Sequence, residues 1–327
     1  MFADHLQKDL HTGAVEKKPT RNGYGEGLLE AGKRDERVVA LCCDLTESTK
    51  TDAFANAFPK RFVQVGVAEQ NLASVGSGMA AMGKIPFISS YAMFSPGRNW
   101  EQIRTTIAYN EANVKIVGAH AGVSVGPDGA THQAIEDIAI MRAIPTMVVI
   151  APADVHEAYK MTLAVAEYIG PVYFRLGRSN TPVVTTPESP FTIGKAEQMY
   201  FRNESLEKKV GIVSTGSLLY NSLMAAVALE KQGIGTSVLH MATIKPLDGA
   251  MLEKFATEHG ALVTVEEHQI IGGLGSAVAE YLSEARPTKI ARIGVHDRFG
   301  QSGEPDELIA HYGMDIPSIV SAAQKLI

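Results

Sequence analysis

The sequence predicts two doubly wound α/β domains in tandem, the first on a mainly parallel sheet and the second smaller. Three observations carry this expectation. Short apolar, β-branched runs alternate with helical spacing from Arg37 to Leu176. The composition then changes abruptly over SNTPVVTTPESP, residues 179–190, and a second, shorter alternation follows from Lys208 onward.

In the first stretch RVVALCCDL, RFVQVGV, KIPFISSY, NVKIVGAH, PTMVVIAP and PVYFRL read as strands, because each is a nearly unbroken apolar run of strand length. Helical spacing falls at 69–82, 99–110, 133–142 and 154–168, and another helix is expected just after Arg21. The helix over 154–168 opens at Asp154, a good N-cap, and its buried stripe is Val155, Ala158, Thr162, Leu163 and Ala166. Strands apolar on both faces need helices on both faces, and such a sheet places its functional groups in loops beyond the strands' carboxyl ends. Residues 179–190 hold three prolines and no helical period, as a semi-extended interdomain connection does. Beyond them KKVGIVSTG, GTSVLHM, ALVTVEEH and TKIARIGVHD read as strands, with helices at 218–232 and 275–285. The expected division is an N-terminal extension over 1–20, a first domain over 21–180, a linker over 181–200 and a second domain over 201–327.

With 327 residues, 45% of them apolar, the chain can bury two cores of ordinary size. Thirty basic against thirty-six acidic residues give a formal charge of −6, and no basic strip is present to neutralise a phosphate backbone, so nucleic-acid binding is not expected. No segment approaches the roughly 18–20 unbroken apolar residues of a membrane helix, and the first twenty residues lack the pattern of an export signal. Cys42 and Cys43, the only cysteines, are adjacent in an apolar run and suit packing better than bridging. A reducing cytoplasm is the expected location.

Several groups could carry chemistry. Strand RFVQVGV runs into Glu69 and then an uncharged Ala/Gly/Ser/Met helix. Glu69 reads either as a first-turn residue favoured by the helix dipole or as a carboxyl in apolar surroundings, with a raised pKa, that shares a proton with a heterocyclic nitrogen. Tyr91 and Phe94 end the next strand beside a Ser-Pro turn; they are core residues or faces on which a flat ligand stacks. The segment HAGVSVGPDGATHQ puts His120, Asp128 and His132 in one glycine-rich loop able to grip a polyhydroxylated substrate. Its twelve-residue His–His spacing is poor for a metal, so no metal ligand is assigned. Arg175 and Arg178, with Arg21, are solvated or form a planar-donor clamp on a phosphate or carboxylate. Gly272, Gly273 and Gly275 open a helix like a phosphate-cradling loop, but without the full Gly-x-Gly-x-x-Gly spacing a tight packing turn is the better reading. His268, His296 and Asp297 lie at strand ends with no assigned chemistry.

Taken together, GVAEQNLASVGSGMAAMGKIPFISSYAMF, GPDGATHQAIEDIAIMRAIP, LGRSNTP, EEHQIIGGLGSA and HDRFGQSG resemble the carboxyl-terminal half of transketolases, which are thiamine-diphosphate enzymes. The resemblance runs from about Arg21 to the end, with five motifs in the family's order. It implies a pyrimidine-binding domain followed by a transketolase C-terminal domain. It further implies that Glu69 bonds N1′ of the cofactor's aminopyrimidine, that Tyr91 and Phe94 stack on that ring, and that Asp44 lies near the cofactor. Arg21, Ser48, His120 and Arg178 match donors to the sugar phosphate. Asp128 matches a residue that contacts a substrate hydroxyl, and His132 one near the reaction centre.

The family's Gly-Asp-Gly with a downstream Asn, which holds diphosphate and Mg2+, does not occur here. The resemblance therefore implies one subunit of a split transketolase, expected to be inactive alone. A separate N-terminal subunit would supply most of the metal and diphosphate site in an α2β2 heterotetramer acting on sugar phosphates. The alternative is the β subunit of a 2-oxoacid dehydrogenase E1 component, which has no need of the DGATHQ loop or the Arg21, Ser48 and Arg178 set. A non-catalytic paralogue would be expected to have lost Glu69 or the aromatic pair, and both are present.

Overall fold

The computed structural model describes every residue from Met1 to Ile327. Its fourteen strands are β1 Lys17–Lys18, β2 Val38–Cys42, β3 Phe62–Gln64, β4 Ile85–Tyr91, β5 Lys115–Ala119, β6 Val148–Ile150, β7 Val172–Arg175, β8 Thr181–Pro182, β9 Glu197–Tyr200, β10 Lys209–Ser214, β11 Gly235–His240, β12 Thr243–Lys245, β13 Ala261–Gln269 and β14 Lys289–Val295. The larger sheet has the order β12-β6-β7-β5-β4-β2-β3; all its neighbours pair in parallel except β12, which is antiparallel to β6. The smaller sheet, β14-β13-β10-β11-β9, is parallel except at its edge strand β9.

The apolar strands are buried on both faces, as two doubly wound domains require. On one face of the larger sheet Ala40, Phe87, Val117 and Phe174 pack against Tyr24, Leu28, Ala158 and Met161 of helices Thr20–Arg34 and Val155–Glu167. On the other, Leu41, Ile88 and Ile116 pack against Leu72 of helix Glu69–Ala81 and Met141 of helix Asp137–Arg142. No helix is long and apolar enough to cross a membrane.

Asp154 caps its helix as the sequence suggests, accepting from the amides of His156 and Glu157. The same carboxylate also accepts from Val184 N at 2.7 Å and from Thr185 N and Oγ1. Residues 181–200, expected to be a linker, are therefore held in place. Strand β8 pairs with β1, Val183 and Val184 are buried, and β9 belongs to the second sheet. The N-terminal extension is equally built in, with Ala3, Leu6 and Leu10 inside the second domain's core. Strand β12 closes the exchange in the opposite direction, since it follows β11 of the second sheet yet pairs with the first.

Two helical expectations shrink on inspection. Only Asp137–Arg142 of 133–142 is helical, because Gln133–Glu136 belong to the loop that follows β5. The segment 99–110 is a short turn, Trp100–Gln102, followed by a π-helix, Ile103–Ala108. Arg21 lies inside the first turn of helix Thr20–Arg34 and does not precede it.

Candidate functional site

The chain places β3 on one side of β2 and β4 on the other, so the strand order reverses at β2, where an open α/β sheet forms a crevice beyond its carboxyl edge. The loops after β2, β3, β4, β5 and β7 carry Ser48, Glu69, Phe94, His120 and Arg178 to that edge, and Tyr91 ends β4 itself. The geometry there is specific. The rings of Tyr91 and His120 stack with centroids 4.0 Å apart and an interplanar angle of 25°, and Tyr91 lies nearly parallel to Phe94 at 6.4 Å. His132 stands edge-on to Phe94 at 5.5 Å and to Tyr91 at 6.3 Å. His132 Nδ1 is 2.9 Å from Thr131 Oγ1. Four residues, two from the end of β4 and the turn after it and two from the loop after β5, thus form one aromatic wall, with Tyr91, Phe94 and His132 partly open to solvent.

His120 sits at φ 57°, a left-handed conformation costly for a residue with a side chain, and is buried. Its Nε2 is 3.3 Å from Arg21 Nη1, an obligate donor, so that nitrogen accepts and the proton belongs on Nδ1. Nδ1 is buried without a partner in the chain, as is Arg21 Nε. Burial, then the charges of Arg21 and Arg178 and the nearby His132, push the His120 pKa down to about 3. The ring is therefore a neutral hydrogen-bonding group at physiological pH. Arg21 Nη1 also donates to Ser48 O at 2.8 Å, and Arg178 Nη1 to Val125 O at 2.9 Å. Arg21 and Arg178 line a cleft of about 450 Å3 whose other walls include Lys17, Asn180, Glu304 and Asp306.

Glu69 is 1% exposed, but its surroundings differ from the apolar wall expected for it. Arg98 Nη1 donates to Glu69 Oε2 at 2.7 Å while its guanidinium carbon lies 5.0 Å from the Phe94 ring centre. The Arg98 side chain is 49% exposed, so the pair joins a buried carboxylate to the open side of the site. Ser90 Oγ is 3.5 Å from Oε1, and Asn99 Nδ2 donates to Glu69 O at 2.9 Å. Arg98 escaped the sequence reading because nothing periodic marks it; a turn, Ser95-Pro96-Gly97, carries it back onto the helix start.

Other candidates fall outside this cluster. Asp44 is exposed at φ 56°, its amide donating to Gln64 Oε1 at 2.8 Å, and Asp128 is exposed on the loop between β5 and Gln133. For Ser48 it is the backbone oxygen, not the hydroxyl, that meets Arg21. Arg175 is no anion clamp: it is buried, pairs with Asp137 at 2.9 Å and donates to Glu267 O across the domain junction. The helix start at Leu274 cradles the chain's own Glu266, which accepts from Leu274 N at 2.6 Å and Gly275 N at 2.8 Å, so a packing role is what the structure shows. Burial outweighs those two bonds and raises the Glu266 pKa to about 7. No three His, Cys, Asp or Glu side chains gather closely enough to hold a metal ion.

Comparison with known proteins gives a consistent answer. Residues 16–184 match the transketolase pyrimidine-binding domain and residues 200–319 the transketolase C-terminal domain. Over 305 residues the chain is 48% identical to a protein of Methanocaldococcus jannaschii named as a transketolase C-terminal section, covering 92% of this chain and 94% of that one. It is 38% identical over 312 residues to the 6-deoxy-6-sulfo-D-fructose transketolase subunit SqwH of Clostridium sp. strain MSTE9, covering 95% of each. Among solved structures, a split-gene transketolase described as an inactive β4 tetramer superposes with a TM-score of 0.87 at 45% identity, covering 94% of this chain and 98% of that chain.

Proposed function

Because the chain belongs to the transketolase family, we propose that it is the C-terminal subunit of a split, thiamine-diphosphate-dependent transketolase. With a separate N-terminal subunit it transfers a two-carbon ketol unit from a ketose phosphate to an aldose phosphate. The observation that carries this reading is the bridging of a buried carboxylate, Glu69, by the guanidinium of Arg98 to the ring of Phe94, which lies nearly parallel to the partly open ring of Tyr91. An acid beside parallel aromatic faces suits a flat heterocycle with a basic ring nitrogen.

Thiamine diphosphate, once bound, supplies a carbon acid and an electron sink that no side chain provides. Glu69 then holds a proton at the N1′ position of the pyrimidine, and Arg98 yields Oε2 for that contact. Tyr91 and Phe94 hold the ring by stacking, and Asp44 flanks the cofactor from the loop after β2. On the substrate side Asp128 and His132 orient sugar hydroxyls. Arg21 and Arg178 attract the anionic end, assisted by Ser48 and by neutral His120, whose buried Nδ1 proton still lacks an acceptor within the chain. Mg2+ and the diphosphate fall mainly to the partner, since this sequence lacks Gly-Asp-Gly. An α2β2 assembly without activity in the isolated chain completes the reading; the description of a similar chain as an inactive β4 tetramer supports it.

The test is reconstitution. Mixed with an N-terminal subunit, Mg2+ and thiamine diphosphate, the chain should transfer the ketol unit of xylulose 5-phosphate to an aldose phosphate, and pyruvate should not be decarboxylated. Glu69→Ala should lower the rate about 10²–10⁴-fold; a mutant as active as the parent refutes the assignment.

A further inference from the structure

The loop that carries Asp128 and His132 has little structure of its own, because its 3-10 stretch Val123–Asp128 is broken at Gly126, where φ is 83°. Within its own domain it is held at Val125 O by Arg178 Nη1 and at Ser124 O by Ser179 Oγ, and further bonds reach it from the second domain. Gln133, 2% exposed, donates from Nε2 to Val123 O at 3.0 Å and Gly126 O at 3.3 Å within the loop, and to Gln301 O at 2.9 Å in the second domain. The two segments approach so closely that side chains are excluded on both. A Cβ on Gly129 would lie 2.7 Å from Ser302 Oγ, one on Gly126 3.2 Å from Gly303 O, and one on Gly300 1.7 Å from Gln133 Oε1. At the other end of the loop Glu267 of β13 accepts from Ser124 N at 2.7 Å and from Ser217 Oγ at 2.9 Å.

We propose that Gln133 is a positioning residue for Asp128 and His132, and that this clasp on the substrate loop, Glu267 at one end and Gln301–Gly303 at the other, is the second domain's contribution to the site. A loop without a strand ladder of its own depends for its order on side-chain contacts such as these. Here one primary amide satisfies carbonyls on both sides of the domain junction. The inference rests on the ketol-transfer reading only in the role it gives Asp128 and His132.

The experiment uses the reconstituted enzyme with Gln133→Leu, which removes the donors but keeps most of the volume, and with Gly300→Ala, whose added methyl presses on Gln133 from the second domain. Both should raise KM for the sugar phosphates at least tenfold, with kcat changed less and thiamine diphosphate affinity within twofold of the parent. Amide hydrogen exchange over residues 122–133 should quicken at least tenfold. KM within twofold of the parent, or unaltered exchange in that loop, overturns the proposal. Should Gln133→Leu fail to fold, Gly300→Ala carries both readouts. A parent enzyme without ketol transfer sinks the functional reading instead, and the exchange measurement still decides the clasp.

Discussion

Replacing Asp137 with leucine should open the joint between the two domains. Asp137 Oδ2 accepts from Arg175 Nε at 2.9 Å and from Tyr173 Oη at 2.7 Å, and all three side chains are buried. Burial disfavours the guanidinium charge, but the attraction of Asp137 and Glu267 outweighs it and holds the Arg175 pKa above the ordinary arginine value. Removing the carboxylate strands a buried cation, which costs about 3–5 kcal/mol, and leaves the Tyr173 hydroxyl without its acceptor, about 1 kcal/mol more. For a chain of 327 residues, an unfolding entropy of roughly 2.1 cal/mol/K per residue converts this to a Tm lower by about 6–9 °C. Scanning calorimetry, with Trp100 fluorescence checking for a single transition, measures it. The double variant Asp137→Leu/Arg175→Met should regain most of the loss, because neither charge is then buried. A fall in Tm below about 2 °C, or a double variant no better than the single one, refutes this account of the joint.

Two further outcomes concern packing and pH. Helices Thr20–Arg34 and Val155–Glu167 touch at Gly23, where a Cβ would stand 1.9 Å from Val155 O, a backbone atom that cannot swing aside. Gly23→Ala should therefore destabilise by about 3 kcal/mol or more despite alanine's better helix propensity, and a neutral or stabilising effect in denaturant titration would contradict the contact. The buried pair Glu157–His240, 2.9 Å apart, joins the two domains. Burial opposes both charges, yet mutual attraction and the shared hydrogen bond prevail, so the His240 pKa lies above its ordinary 6.5 and that of Glu157 below its ordinary 4.5. A raised histidine stabilises fully below 6.5 and loses its contribution as pH climbs through its folded pKa; a lowered glutamate stabilises fully above 4.5 and loses its contribution as pH falls through its own. The Tm advantage of the parent over Glu157→Gln should thus be greatest between about pH 4.5 and 6.5 and shrink on both sides; an advantage that does not vary with pH would count against the charged pair.

Much of this was readable residue by residue. Helix Val155–Glu167 was legible from its N-cap and apolar spacing, with Val155, Ala158 and Thr162 buried as expected, while Met161 and Val165 take the inward places expected of Leu163 and Ala166, which are only half-buried. Helix Thr20–Arg34 was not delimited, since Gly23, Gly25 and Gly27 crowd its first turns at an intrinsic cost of about 1 kcal/mol each. Those glycines answer to close neighbours: a Cβ on Gly25 would meet Lys50 O at 2.5 Å, and one on Gly27 would meet Thr162 Cβ at 2.7 Å. Within the site, Glu69, Tyr91, Phe94, His120 and His132 stood out by type and by position at strand ends. Arg98 and Gln133 did not, because a side chain's use of a turn or of another domain leaves no period along the chain.

Although helices Asp52–Ala57, Gly249–His259, Pro305–His311 and Ile316–Gln324 went unmarked, the sequence alone determined that apolar strands alternate with helices in both halves, that the strands are covered on both faces, and that the candidate site residues follow strands. These depend on local preference and apolar pattern, which act between near neighbours in the chain. Tertiary structure decided the rest. It set Ala3, Leu6 and Leu10 of the N-terminal segment and Val184, Met199 and Tyr200 of the expected linker into the second domain's core while Phe191 and Ile193 pack on the first, lent β12 to the first sheet, turned Arg175 inward to Asp137 and set Arg98 against Glu69. Each of those outcomes pairs groups remote in sequence, and their energies depend on desolvation and distance, quantities that exist only once the chain has closed around them.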